Sequence, residues 1–110
     1  VCRDGPDGPR LRVAALEGHI AHVEANWRRY IVAGPMRRPG EAALSGSFFL
    51  VRAPTVEDAW AVMKGDPYIT SGLYADIEVR EVTPSIGLWP KGKIWTDAAS
   101  LAARATGADA

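Results

Sequence analysis

Leu44-Ser45-Gly46-Ser47-Phe48-Phe49-Leu50-Val51-Arg52 is the stretch on which the layout of the chain turns. Side chains alternate across a strand, so Leu44, Gly46, Phe48 and Leu50 share one face and Ser45, Ser47, Phe49 and Val51 the other. Neither face is polar throughout, so one is expected to meet helices of the same chain and the other to meet something else. Upstream, Ile31-Val32-Ala33, closed by Gly34-Pro35, reads as the first strand of a hairpin with Arg37-Arg38-Pro39-Gly40-Glu41 as its loop. Before that, Val13, Leu16, Ile20, Val23 and Trp27 recur at steps of three and four. This spacing predicts one helix from Arg10 to about Tyr30, with Pro9 in a first turn where a missing N–H costs nothing. The turn-rich Gly5-Pro6-Asp7-Gly8-Pro9 makes Val1 to Asp4 the end of a strand entering a loop.

Downstream, Thr55 followed three residues later by Asp58 is a capping-box-like start, and Val56, Ala59, Trp60 and Met63 form a helical stripe that Gly65 ends. Asp66-Pro67 opens a tight turn, and the alternation from Tyr74 to Val82 predicts a last strand. Strand, helix, hairpin, helix, strand, joined by right-handed crossovers, is an α+β, ferredoxin-like plan: a four-stranded antiparallel sheet with two helices on one face. The other face would be bare and partly apolar. At about 25 cal/mol per Å² of apolar area, a second copy is expected to cover it, making a homodimer. The segment Ile86 to Trp95 is too apolar for a free linker; it is expected to lie across its own domain or the partner, with Trp89 and Trp95 buried. Thr96 to Ala110 reads as a weak helix or a frayed tail.

With 110 residues, 47% of them hydrophobic, the chain can build one core but not two. Thirteen Lys and Arg balance thirteen Asp and Glu, so no basic block is available for nucleic acid or an anionic membrane. Cys2 is the only cysteine and cannot close an internal disulfide, which fits a reducing, cytoplasmic setting. No apolar run approaches the ~20 residues of a membrane span, and no signal-type core follows the N-terminus.

His19 lies at the border of the helical stripe, on the same edge as Arg12, His22, Asn26 and Tyr30. A histidine there could serve as a general base at neutral pH, or could simply hydrogen-bond at the helix border; spacing alone leaves both open. His19 and His22 are three apart, yet no further Cys, His or HExxH ligand accompanies them, so no metal is expected. Asp66 before Pro67 is a favoured N-cap, and a carboxylate held by backbone N–H groups would also be well placed to orient an imidazole. Ser47 could donate into a pocket or fill a small site, and Tyr68 is either a core aromatic or a pocket wall. No phosphate loop, dinucleotide fingerprint or nucleophile elbow is present.

Gly18-His19-Ile20-Ala21-His22, Val32-Ala33-Gly34-Pro35, Ser45-Gly46-Ser47, Asp66-Pro67-Tyr68 with Gly72, and the closing Gly87 to Trp95 together resemble the YCII-related family. The resemblance runs over residues 1–95 as one domain, leaving 96–110 as a tail, and implies a dimeric α/β barrel of ferredoxin-like subunits. It implies a His and Asp pair, which falls on His19 and Asp66, beside a pocket between sheet and first helix. Relatives of this fold include a dehydrochlorinase of a chlorinated hydroxyhydroquinone, and muconolactone isomerases are similar. Many relatives have an arginine three residues before the histidine, where this chain has Leu16, so Arg12 or Arg3 would have to substitute. Relatives also begin with a longer first strand, of which Val1 looks like the end.

The function expected on this reading is a cofactor-independent lyase or isomerase of a small organic molecule. His19 and Asp66 are the catalytic pair, and Ser47, Tyr68, Arg12 and Gly34 contact the substrate. The rival is a non-catalytic dimeric module that binds a small molecule or serves a partner protein; fold analogy does not choose between them.

Overall fold

In the computed structural model, residues 1–89, 91–93 and 96–105 are described. They form two compact units, Val1–Val79 and Arg80–Ala110. The first unit runs β1 (Cys2–Asp4), α1 (Gly8–Ala14), α2 (Leu16–Asn26), a 3₁₀ turn (Trp27–Arg29), β2 (Tyr30–Arg37), β3 (Leu44–Val51), α3 (Val56–Met63), the single-turn α4 (Pro67–Thr70) and β4 (Tyr74–Ile77). Its four strands form one sheet in the order β2-β3-β1-β4, each neighbouring pair antiparallel. Each helical crossover therefore skips one strand, which is the ferredoxin-like plan expected from the order of elements.

The register sorts the two faces. Cys2 stands opposite Ser47 and Ile77, and Ala33 opposite Phe49, so these residues point to one side. That side meets the helices: Cys2, Tyr68, Leu73 and Tyr74 are buried together, with Leu11, Ala15, Phe49, Ile69 and Ile77 packed against them. Arg3 opposite Asp76, and Val32, Gly34 and Met36 opposite Leu50, Phe48 and Gly46, belong to the other side. There Val32 and Phe48 remain 51% and 38% exposed, and Arg3 bridges Asp76 at 2.6 Å and Glu78 at 3.3 Å.

The predicted long helix is two helices and a 3₁₀ turn. The break at Ala15 falls between two anchors: Arg12 fastens α1 to β1 and β3, while α2 leans on α4 so closely that a Cβ at Gly18 would come within 2.8 Å of Pro67 Cγ. The orientation also differs from expectation. Of Val13, Leu16, Ile20, Val23 and Trp27, read as the core stripe, Val23 is half-buried while the other four are 76%, 44%, 50% and 54% exposed, and the half-buried side carries Leu11, Arg12, Ala15, His19, His22 and Asn26 beside Val23. Polar groups that pair with one another can occupy the sheet side of a helix, and here they displace the apolar stripe from it.

The caps agree with the sequence. Thr55 Oγ1 accepts from the Asp58 N–H at 3.1 Å and starts α3, and Asp66 starts α4 by accepting from the Tyr68 N–H at 2.9 Å. Gly72 has φ +82°, a conformation glycine adopts without strain, and it turns the chain from α4 into β4. The last strand is shorter than expected, ending at Ile77 rather than Val82.

The second unit holds a two-residue antiparallel ladder, β5 (Ile86–Gly87) with β6 (Gly92–Lys93), and α5 (Ala98–Ala105). Asp97 accepts from the Ser100 N–H at 2.8 Å at the start of α5, and this bond, first among several to the same turn, holds its carboxyl below the usual range. In this unit Leu88 and Trp89 are 98% and 41% exposed in the single chain; Trp95 and residues 106–110 lie outside the described residues. Among the described residues no helix is long and apolar enough to cross a membrane.

Candidate functional site

Asp66 is fully buried, at 0% exposure, and a buried carboxylate must be met by donors. Two groups meet it: the Tyr68 N–H at Oδ1 and His19 Nδ1, at 2.9 Å from each oxygen. An ionised carboxylate only accepts, so Nδ1 carries the hydrogen and Nε2 has the free lone pair of a neutral imidazole. The Tyr68 ring fixes the imidazole plane, stacked on it at 3.7 Å between centroids and 2° between planes. The His19 side chain keeps 20% of its surface. Locally this follows from the N-cap: the residue that starts α4 must aim its oxygens back at that helix's first N–H groups, and α2 crosses there at Gly18, one residue before His19.

A second polar cluster adjoins this pair. Arg12 forks onto Asp4, Nε to Oδ2 and Nη2 to Oδ1, both at 2.8 Å, with side chains only 12% and 8% exposed. The Arg12 Nη2 also donates to the Gly46 carbonyl at 2.8 Å and to Ser47 Oγ at 3.1 Å. The bond to Asp4 holds the guanidinium pKa up. Tyr74 donates to Ser47 Oγ at 2.7 Å, and burial above all pushes the Tyr74 phenol up. Ser47 thus receives two donors, which leaves its own hydrogen to give. Tyr68 Oη donates to the Arg12 carbonyl at 3.1 Å, and burial is the main cause that raises its pKa. The Arg12 guanidinium also lies 5.7 Å from the Tyr68 ring centroid, tying the cluster to the His19 pair.

The structure therefore brings together His19, Asp66, Tyr68, Arg12 and Ser47. Gly34 does not join them: it pairs with Phe48 on the opposite sheet face, and a Cβ there would meet nothing within 4 Å. The Nε–Nη2 edge of Arg12 is not open to an anion, because Asp4 takes both of those groups. Arg3, the other substitute considered, is turned to the far face with Asp76 and Glu78. Sequence reading passed over Asp4, which looked like the edge of a loop, and Tyr74, which looked like an ordinary strand residue. Among the described residues no group of three or more His, Cys, Asp or Glu is placed to hold a metal.

The comparisons agree with this architecture. A family model for the YCII-related domain matches residues 1–83. A protein named YciI from Escherichia coli is 28% identical over 85 residues, covering 71% of this chain and 87% of the relative. An uncharacterised protein of Haemophilus influenzae is 31% identical over 87 residues, with the same coverage of 71% and 87%. Among solved structures, 5-chloro-2-hydroxyhydroquinone dehydrochlorinase from Burkholderia phenoliruptrix, in complex with 2,5-dihydroxybenzoquinone, superposes with a TM-score of 0.66 at 23% identity, covering 74% of this chain and 88% of that one.

Proposed function

The chain belongs to the YCII-related domain family, and from that premise we propose that it is a cofactor-independent lyase or isomerase of a small organic molecule, with His19 moving the proton and Asp66 holding His19. The observation that carries this reading is the bond from His19 Nδ1 to a fully buried carboxylate, at 2.9 Å, in an imidazole that keeps part of its surface. Such a pair has a defined tautomer, a defined plane and a countercharge for the imidazolium that forms when Nε2 takes a proton. An isomerase returns that proton at another atom; a lyase loses it together with a leaving anion. Neither step needs an electron acceptor. The dehydrochlorinase that shares the fold supports the lyase form, since its bound quinone is a small oxygenated ring. Ser47 and Tyr68 line the substrate's place, Ser47 through the hydroxyl hydrogen that Tyr74 and Arg12 leave to it.

The same reading makes the protein a homodimer through the sheet face that carries Val32 and Phe48. These side chains leave apolar area whose burial favours a second copy.

The test begins with a thermal-shift screen of hydroxylated aromatic compounds, quinones and lactones; a ligand at a hundred times its Kd adds ~2.7 kcal/mol to stability. Turnover of the compound found is then compared in His19→Ala and Asp66→Asn. In Asp66→Asn the amide oxygen can still cap α4, but the amide cannot supply the countercharge and sets the wrong imidazole tautomer when its N–H₂ faces Nδ1. A loss on the order of 10²-fold or more is expected in both variants. Parent-like rates in both would make the pair structural and leave a binding or accessory module as the function.

A further inference from the structure

His22 and Tyr30 form a second histidine-centred pair beside the first. His22 Nε2 lies 3.1 Å from Tyr30 Oη, and the Asn26 amide, oriented by the His22 carbonyl, decides which of them donates. Asn26 Nδ2 is bonded to the His22 carbonyl at 2.8 Å, which fixes the orientation of the amide because only its nitrogen can donate there. The same nitrogen faces His22 Nδ1 at 3.4 Å, so Nδ1 is an acceptor and the imidazole hydrogen sits on Nε2. His22 therefore donates to Tyr30, and the phenol's own hydrogen has no acceptor among the described residues. Burial, with the charge of Asp66 added, pushes the Tyr30 phenol up to about 12, so it stays protonated at neutral pH.

The pair belongs to the same layer as His19. His22 is one turn along the same side of α2, and its ring is so close to Gly65, the residue before Asp66, that a Cβ there would come within 3.2 Å. The Tyr30 ring turns inward, 6.1 Å from that of Phe49 on the helix side of the sheet. We propose that Tyr30 is a substrate-contacting residue, its phenol donating a hydrogen bond to a carbonyl or enol oxygen of the substrate, with His22 and Asn26 as the positioning residues that free its hydrogen for this role. The proposal rests on reading His19 as the base, and it narrows the substrate to a keto–enol compound. His19 Nε2 takes a proton from carbon or oxygen, the electron pair moves through the conjugated system to the oxygen facing Tyr30, and the O–H of Tyr30 stabilises the charge that gathers there. Return of the proton closes the cycle with no change of oxidation state.

The probe is 2,5-dihydroxybenzoquinone, whose oxygens can accept from Tyr30 and whose visible absorption reports binding. It is titrated into the full chain, Tyr30→Phe and His19→Ala. Tyr30→Phe is expected to bind about five- to tenfold more weakly, the loss of one hydrogen bond, with an unchanged circular dichroism spectrum. Equal affinity in Tyr30→Phe and the parent overturns the donor role and leaves the His19 reading standing. A parent that fails to bind at millimolar quinone overturns the keto–enol class, and the donor role with it. Independently of any ligand, ¹⁵N-histidine NMR is expected to show His22 as the Nε2–H tautomer, and to show Nδ1–H appearing in Asn26→Leu. A parent His22 protonated on Nδ1 alone would make Tyr30 the donor to His22 and overturn the proposal.

Discussion

Arg12 and Asp4 form a pair of well-buried opposite charges, and neither can lose the other cheaply. Removing one side of such a pair leaves a desolvated charge, so Arg12→Ala and Asp4→Ala are each expected to lower stability by about 3 kcal/mol or more. The double variant is expected to lose clearly less than the sum, since it removes both charges; urea unfolding of the four proteins measures this coupling. Tyr68 separates two roles in a similar way. Tyr68→Phe loses only the bond to the Arg12 carbonyl and is expected to cost about 1 kcal/mol while leaving the His19 plane in place. Asp66 and His19 were legible at this scale because an Asp-Pro cap and a border histidine each have a chemical reason to sit where they do. Gly34 stands apart from the others, on the far sheet face, and a short run such as Val32-Ala33-Gly34-Pro35 says nothing about which face it turns to.

Between elements, the contact that sets the site is α2 against α4. Gly18→Ala is expected to push the helices apart, at a cost of about 1–3 kcal/mol, because the new methyl would meet the Pro67 ring. Since His19 follows Gly18 and Asp66 precedes Pro67, the same change is expected to lower turnover more than Thr55→Ala does. That variant removes only the α3 cap, for about 1 kcal/mol. Melting temperatures and rates of the two variants, measured side by side, separate distortion of the site from plain loss of stability. Helix and strand order could be read from periodicity and turn residues, whereas the facing of α1 and α2 could not. The heptad-like recurrence of Val13, Leu16, Ile20, Val23 and Trp27 outweighed a polar edge whose members find partners only in three dimensions, in Asp4, Asp66 and Tyr30.

For the whole molecule, the sheet face opposite the helices is divided, with Val32 and Phe48 on β2 and β3 and, at the other end, Arg3 on β1 clustered with Asp76 on β4 and Glu78 just beyond it. Phe48→Lys places a charge in the apolar half and is expected to shift the protein from dimer to monomer in light scattering at micromolar concentration, without changing the fold of the subunit. An interface of the size that stable pairs need, ~1,200 Å² or more, would be lost with it. A parent that is itself monomeric would remove the dimer from the account. Strand alternation in Leu44 to Arg52 made this face visible in the sequence, because both of its sides carry apolar groups. The charged half was not visible, because Arg3 and Asp76 are more than seventy residues apart and meet only through the antiparallel register of β1 and β4.

The stacking of His19 on Tyr68 has a spectroscopic consequence. An imidazole lying flat 3.7 Å from a phenol sits in the shielding cone of that ring, so its carbon-bound protons are expected to resonate well upfield of ordinary histidine signals. His22 stands edge-on to Tyr30 at 6.5 Å and lacks this shielding. With two histidines in the chain, the pair of signals can be told apart without assigning the rest of the spectrum. Any compound that slides between helix and sheet and tilts the imidazole off the phenol would announce itself as a downfield step in one resonance.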